Sequence, residues 1–173
     1  FSWIEFHKDD VVVHPIRLRR ETILELEYNL MLFRIGKNRK SSNIQKELIE
    51  ALQDKSKDVA AFEDMKRLSE ELRVALLKGN VKKFGDLLHE SWIIKKGMNS
   101  LVSNQLVDDC YALAKSHGAL GGKLLGAGES GYLLIYASPL YQKTIELVLA
   151  KKGVLLERFK FNSTGLEVWS TKK

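Results

Sequence analysis

Hydrophobic and polar positions divide the chain into three stretches of different rhythm. Ser2 to His7 alternates weakly, Asp9-Asp10 makes a turn, and Val11-Val12-Val13 is a β-branched run ended by Pro15. Arg17 to Glu27 is charged, with Ile23, Leu24 and Leu26 as its apolar contribution, and reads as a short polar helix. Leu30-Met31-Leu32-Phe33 is uninterrupted and apolar, closed by Gly36, the pattern of a buried strand. Residues 1–36 are therefore expected to be extended structure around one helix.

Residues 41–117 carry a helical period instead. Ser41 and Ser42 are good helix caps, and Glu47 lies in the first turns, where a carboxylate meets the positive end of the helix dipole. Beyond Asp54, Phe62, Met65, Leu68, Leu72 and Ala75-Leu76 step by three and four, which predicts an amphipathic helix broken at Gly79-Asn80. Val81, Phe84, Leu87-Leu88 and Trp92 mark a second helix, interrupted at Gly97. A third opens at Asn104 and closes at His117-Gly118.

The last third, residues 118–173, has glycines at 118, 121, 122, 126, 128 and 131, then a hydrophobic strand from Tyr132 to Tyr136. A helix from Leu140 to Lys152 leads to a strand from Val154 to Phe161, with Arg158 and Lys160 outward and Phe159 and Phe161 inward. Asn162 to Gly165 is a turn into a final strand, Leu166 to Trp169, so a closing hairpin is expected. The sum is an α+β fold in one domain, an antiparallel sheet with helices packed on one face.

Composition narrows the class. With 45% hydrophobic and 29% charged residues, the 173-residue chain is an ordinary globular one, neither disordered nor low-complexity. Its apolar runs fall far short of the roughly 20 residues that span a bilayer. The lone Cys110 cannot form an internal disulfide and sits among apolar residues at helical spacing, so it reads as a core thiol in a reducing, cytoplasmic setting. His7, His14, His89 and His117 lack metal-ligand spacing. The net charge of +6 is concentrated beyond Lys151 and in a cluster of Arg34, Lys37, Arg39, Lys40 and Lys46, which suits an anionic ligand such as phosphate. The chain opens on Phe1 rather than Met and is read as a fragment of a longer protein.

The most informative segment runs from Gly121 to Tyr136. Glycines at 126, 128 and 131 between apolar runs allow positive φ and bring several backbone N–H groups toward one anion. Gly126-x-Gly128-x-x-Gly131 matches a dinucleotide fingerprint only in spacing, because a β-type run follows where a helix should open. A P-loop is excluded because no Lys-Ser/Thr follows the last glycine. On the residues alone, a phosphate-facing loop and a tight turn between two strands stand level.

Lys123-Leu-Leu-Gly-Ala-Gly-x-x-Gly-Tyr-Leu-Leu resembles the third, C-terminal glycine-rich motif of the GHMP small-molecule kinases. Leu24 to Ser42, with Gly36-x-x-Arg39-x-Ser41, is similar to a stretch of the heptose 7-phosphate kinases and fucokinase domains in that superfamily. Trp92, Lys95-Lys96, Ser103-Asn104, Asp108 to Tyr111, and Phe159, Phe161, Gly165, Val168 and Trp169 extend the resemblance over nearly the whole chain. It implies a GHMP kinase C-terminal, ferredoxin-like-related fold. It also implies a parent enzyme that passes the terminal phosphate of ATP, with Mg²⁺, to a hydroxyl of a sugar or sugar phosphate.

On that resemblance Gly126, Ala127, Gly128, Glu129, Ser130 and Gly131 line the cleft, with Lys123 and Arg39 as candidate phosphate or sugar contacts. The family's nucleotide loop and catalytic Asp belong to the N-terminal half and do not occur here. The fragment alone is therefore expected to be inactive, without catalytic or metal-binding residues or a cofactor of its own. Its expected partners are the sugar substrate, that N-terminal half, and a second copy of the chain in a homodimer, with no membrane. Glu129 departs from the family's glycine and should point away from phosphate, because a carboxylate about 4 Å from one at an effective dielectric near 20 is repelled by roughly 4 kcal/mol. The alternative is a non-catalytic binding or dimerisation module. Arg158-Phe159-Lys160-Phe161 has the alternation of a base-stacking strand. Nucleic acid is disfavoured because the aromatic and basic pairs fall on opposite faces and no glycine accompanies them.

Overall fold

The computed structural model describes residues 1–36, 59–98, 102–128 and 130–170. The expected helix start at Ser41-Ser42, and with it Arg39, lies outside the described residues, as does Glu129. The elements are β1 (Ser2–Phe6), β2 (Val11–Pro15), α1 (Arg20–Asn29), β3 (Leu30–Ile35), α2 (Val59–Leu77), α3 (Val81–Met98), α4 (Gln105–Ser116), β4 (Ala119–Gly128), β5 (Ser130–Ala137), α5 (Pro139–Ala150) and β6 (Leu155–Glu157).

β1 and β2 form the antiparallel hairpin that the alternation and the Asp9-Asp10 turn predict, with Trp3 opposite His14 and Phe6 opposite Val11. Arg73 of α2 lies 4.6 Å over the Trp3 ring, a cation–π contact tying this hairpin to the helical part. The main sheet has strand order β4-β5-β3-β6, antiparallel throughout. β3 sits inside it, with Phe33 opposite Leu133 and Leu30 opposite Tyr136. A strand buried on both sides has no need of alternation, which is why Leu30 to Phe33 reads as one apolar run.

Period-two geometry sends alternate residues of β3 and β5 to different cores. Phe33, Ile35, Leu133 and Ile135 meet Val107, Cys110 and Ala114 of α4 and Ile145 and Leu149 of α5. Cys110 is buried in this layer as its spacing indicated. Tyr136 points the other way, into a smaller cluster with Leu26 of α1, Leu76 of α2, and Val81 and Leu88 of α3. α3 therefore adds a second helical contact, on the Tyr136 side. α2 is joined to α3 through Leu68, Ala75 and Leu87. Each fully buried Leu, Ile or Phe contributes about 1.5–3 kcal/mol, so the α4–α5 layer is the dominant source of stability.

Local signals set the boundaries. Asn80 breaks the α2–α3 path, and its side-chain oxygen accepts from the Lys83 amide at 3.0 Å. Asn104 caps α4 in the same way, accepting from the Val107 amide at 3.0 Å. Pro139 occupies the first turn of α5, where its missing N–H costs nothing. Gly97 does not interrupt α3, which continues to Met98; at the penultimate helical position the entropic penalty of glycine is small.

The expected closing hairpin is not formed. β6 is confined to Leu155–Glu157, and residues 158–170 contain no strand. Leu166, Val168 and Trp169 are 91, 86 and 82% exposed, so the alternation there reflects no burial within the described residues. Phe161 instead packs edge-on against Phe1 at 5.0 Å, and its amide donates to Glu27 at 2.7 Å. These contacts turn the chain back along α1 and away from β6.

Candidate functional site

The site grows from an unusually close approach of helix and strand. A Cβ on Gly121 would lie 2.0 Å from the Gly85 carbonyl oxygen and 2.8 Å from the His89 amide nitrogen. A Cβ on Gly85 would in turn fall 2.5 Å from the Tyr136 ring. Gly121 thus lets the backbone of α3 lie against β4, and Gly85 makes room on α3 for the Tyr136 ring of β5.

The segment expected to be a glycine-rich loop is for the most part paired strand. Gly121 is opposite Tyr136, Gly122 opposite Ile135, and the ladder reaches Gly128 opposite Ser130. Register shifts between Ala119 and Gly121 and between Leu125 and Gly128 show why glycine is needed at both ends. Gly126 has φ 84°, within the second irregularity, and is exposed with open space where a side chain would stand. No helix opens at Gly131; β5 begins at Ser130, in keeping with the rejection of a dinucleotide fold.

A buried polar contact pins this arrangement. His89 Nδ1 lies 2.7 Å from the Tyr111 hydroxyl. Burial, and secondly the Lys115 ammonium, push the His89 pKa below its usual value, while burial raises that of Tyr111. The unfolded chain binds a proton at His89 more readily than the folded one, so this contribution to stability is present above about pH 6.5 and lost as pH falls. Thermal melts at pH 7.5 and pH 5.5 should show a smaller acid-induced drop in Tm for His89→Gln than for wild type. Equal drops would contradict the assignment.

Lys123 and Lys95 both face the packing of α3 on β4. Lys123 stands opposite Leu134, on the strand face turned toward α3. The Lys95 ammonium of α3 donates to the Gly126 carbonyl at 3.4 Å. Both side chains are half-buried. Burial lowers both pKa values, and the charge of Lys95 lowers that of Lys123 further. Among the described residues no carboxylate pairs with either lysine. The neighbouring Lys96 differs in this respect, being held by Asp108 at 2.6 Å.

The expected site residues are thus only partly gathered. Lys123 and Gly126 lie on β4; Ala127 and Gly128 end it, and Ser130 and Gly131 begin β5. Lys95 was legible only as part of the resemblance, yet it stands one helical turn beyond the buried Trp92 and so shares its inward side. Among the described residues, no group of three His, Cys, Asp or Glu gathers to hold a metal. The described residues therefore do not fit a Mg²⁺ site. No described helix is long and apolar enough to cross a membrane.

On this antiparallel sheet and its helices, residues 72–153 match the family model described as GHMP kinases C terminal. It is 27% identical, over 98% of its length, to the D-glycero-alpha-D-manno-heptose 7-phosphate kinase of Campylobacter jejuni, of which it covers 50%. The fold is shared with L. major mevalonate kinase, at a TM-score of 0.70 and 18% identity over 87% of this chain and 44% of that one. It is shared as well with a D-glycero-D-manno-heptose 1-phosphate kinase from Bacteroides thetaiotaomicron, at a TM-score of 0.67 and 22% identity over 98% and 46%. The chain spans about half the length of each of these relatives.

Proposed function

We propose that the chain is the C-terminal half of an ATP-dependent kinase that phosphorylates a sugar or sugar phosphate. The observation that carries this reading is the end-to-end similarity to a heptose 7-phosphate kinase, which extends over 98% of the chain. The geometry is in keeping with it. A strand end with an exposed Gly126 whose carbonyl accepts from Lys95, and with Lys123 on the same strand, suits the wall of a cleft that receives phosphorylated ligands. Phosphoryl transfer relies mainly on positioning and on neutralising charge. In this reading the segment from Gly126 to Gly131 lines the acceptor side, and Lys123 contributes charge.

ATP with its Mg²⁺ would be held by the N-terminal half, since this chain has neither a nucleotide loop nor a carboxylate cluster among its described residues. ATP supplies the phosphoryl group; the residues here orient the acceptor and keep its negative charge in place. Residues 1–173 alone are expected to show no ATP turnover above background. The protein carrying both halves is expected to consume ATP in the presence of a heptose phosphate. A coupled ADP-release assay with heptose 7-phosphate, fucose and mevalonate checks both statements. Turnover by the isolated chain, or none by the complete protein with any sugar or sugar phosphate, would overturn the reading.

A further inference from the structure

We propose that Lys95 and Lys123 form a phosphate-monoester subsite at the Gly126 end of β4, with Lys95 as a binding residue that the glycine-rich motif itself does not include. The two lysines come from different elements: Lys123 lies on the face of β4 turned toward α3, and the Lys95 ammonium of α3 reaches the carbonyl of the exposed Gly126 further along the same strand. Neither has a carboxylate partner among the described residues, although the other lysine of the same helical turn, Lys96, is paired with Asp108.

Holding two like charges half-buried and unpaired is unfavourable in the unliganded protein, so the arrangement gains stability from whatever neutralises it. The charge selects the ligand class. A phosphate monoester carries about −1.5 to −2 at neutral pH, enough to neutralise both lysines, whereas a single carboxylate neutralises one. Lysine binds phosphate as a point charge and needs no fixed fork geometry, which suits two flexible side chains from different elements. The approach of α3 to β4 at Gly85 and Gly121 sets the spacing of the two stems, since both lysines lie further along the same helix and strand.

The binding property stands apart from the kinase reading. That reading is needed only to say whose phosphate arrives, the acceptor's or the nucleotide's. The test is a series of thermal melts of the complete protein in sodium phosphate against sodium chloride of equal ionic strength, for wild type, Lys95→Gln, Lys123→Met and Lys96→Gln. Phosphate should raise the Tm of wild type and Lys96→Gln in a concentration-dependent way. Lys95→Gln and Lys123→Met should keep or exceed the wild-type Tm in chloride, because each removes an unpaired buried charge, and should lose the phosphate increment. An undiminished increment in both variants, no increment in wild type, or a lowered chloride Tm of the kind expected for a lysine held in an ion pair would overturn the proposal.

Kinetics identify the source. A rise in KM of roughly ten- to hundredfold for a heptose phosphate, with the KM for ATP unchanged, assigns the subsite to the acceptor; the opposite split assigns it to the nucleotide. A phosphate increment that depends on both lysines, in a protein that phosphorylates no sugar, would sink the kinase reading and leave the subsite standing.

Discussion

Gly121→Val should yield little or no folded protein. The first side-chain carbon would sit 2.0 Å from the Gly85 carbonyl oxygen and 2.8 Å from the His89 amide nitrogen, both backbone atoms. No rotamer change relieves such a clash; α3 has to move off β4. That movement separates His89 from Tyr111, opens the layer around Trp92, and spoils the register from Gly121 to Leu125. Overpacking against flexible side chains costs about 1–3 kcal/mol, and displacing a whole helix exceeds that range. Since small domains have only about 5–15 kcal/mol in hand, the loss is a large share of the total. Soluble yield and a circular-dichroism melt check the outcome, and a Tm within a few degrees of wild type would refute the backbone-to-backbone packing.

Trp92→Ala is the second large effect. Trp92 is 0% exposed and packs in the core shared by α4 and α5, with its ring 6.3 Å from that of Tyr111. Removing the indole should cost about 3–5 kcal/mol, through lost transfer energy and the cavity left behind. The indole Nε1 is buried without a hydrogen-bond partner among the described residues. Trp92→Phe therefore sacrifices no hydrogen bond and removes an unsatisfied donor, which offsets part of the lost volume. Urea denaturation should place Trp92→Phe much nearer wild type than Trp92→Ala. Equal losses would show that the indole nitrogen has a partner whose loss matters.

These two positions show how far the sequence could be read. Trp92 announces itself, because its spacing with Val81, Phe84 and Leu88 marks the inner side of a helix. Gly121 does not. A glycine cluster signals conformational freedom or close approach, and only the tertiary structure tells which applies. At Gly121 and Gly122 it is close approach within a paired strand; at Gly126 it is positive φ. The opening hairpin, β3 and the helices from α2 to α5 follow local signals: alternation, turn residues, caps and the 3.6-residue period. The closing hairpin fails because alternation from Leu166 to Trp169 needs a partner surface to become a strand, and the described fold offers none. Lys95 and Lys123 stand 28 positions apart in sequence, and nothing local in either segment says that their charges share one place.

The central claim is that the glycine-rich hairpin of β4 and β5 forms a cleft wall of a sugar kinase and is more than a turn. Gly126→Ala in the complete protein tests it most directly. The methyl group meets nothing within 4 Å, so the only folding penalty is that of φ 84°, about 1–2 kcal/mol. The variant should stay folded at assay temperature, with Tm lowered by several degrees. On the proposed reading its kcat/KM for a heptose phosphate should fall at least tenfold, because the carbonyl that accepts from Lys95 shifts with the backbone. A wild-type kcat/KM in the folded variant would reduce the hairpin to a structural turn, and so contradict the account.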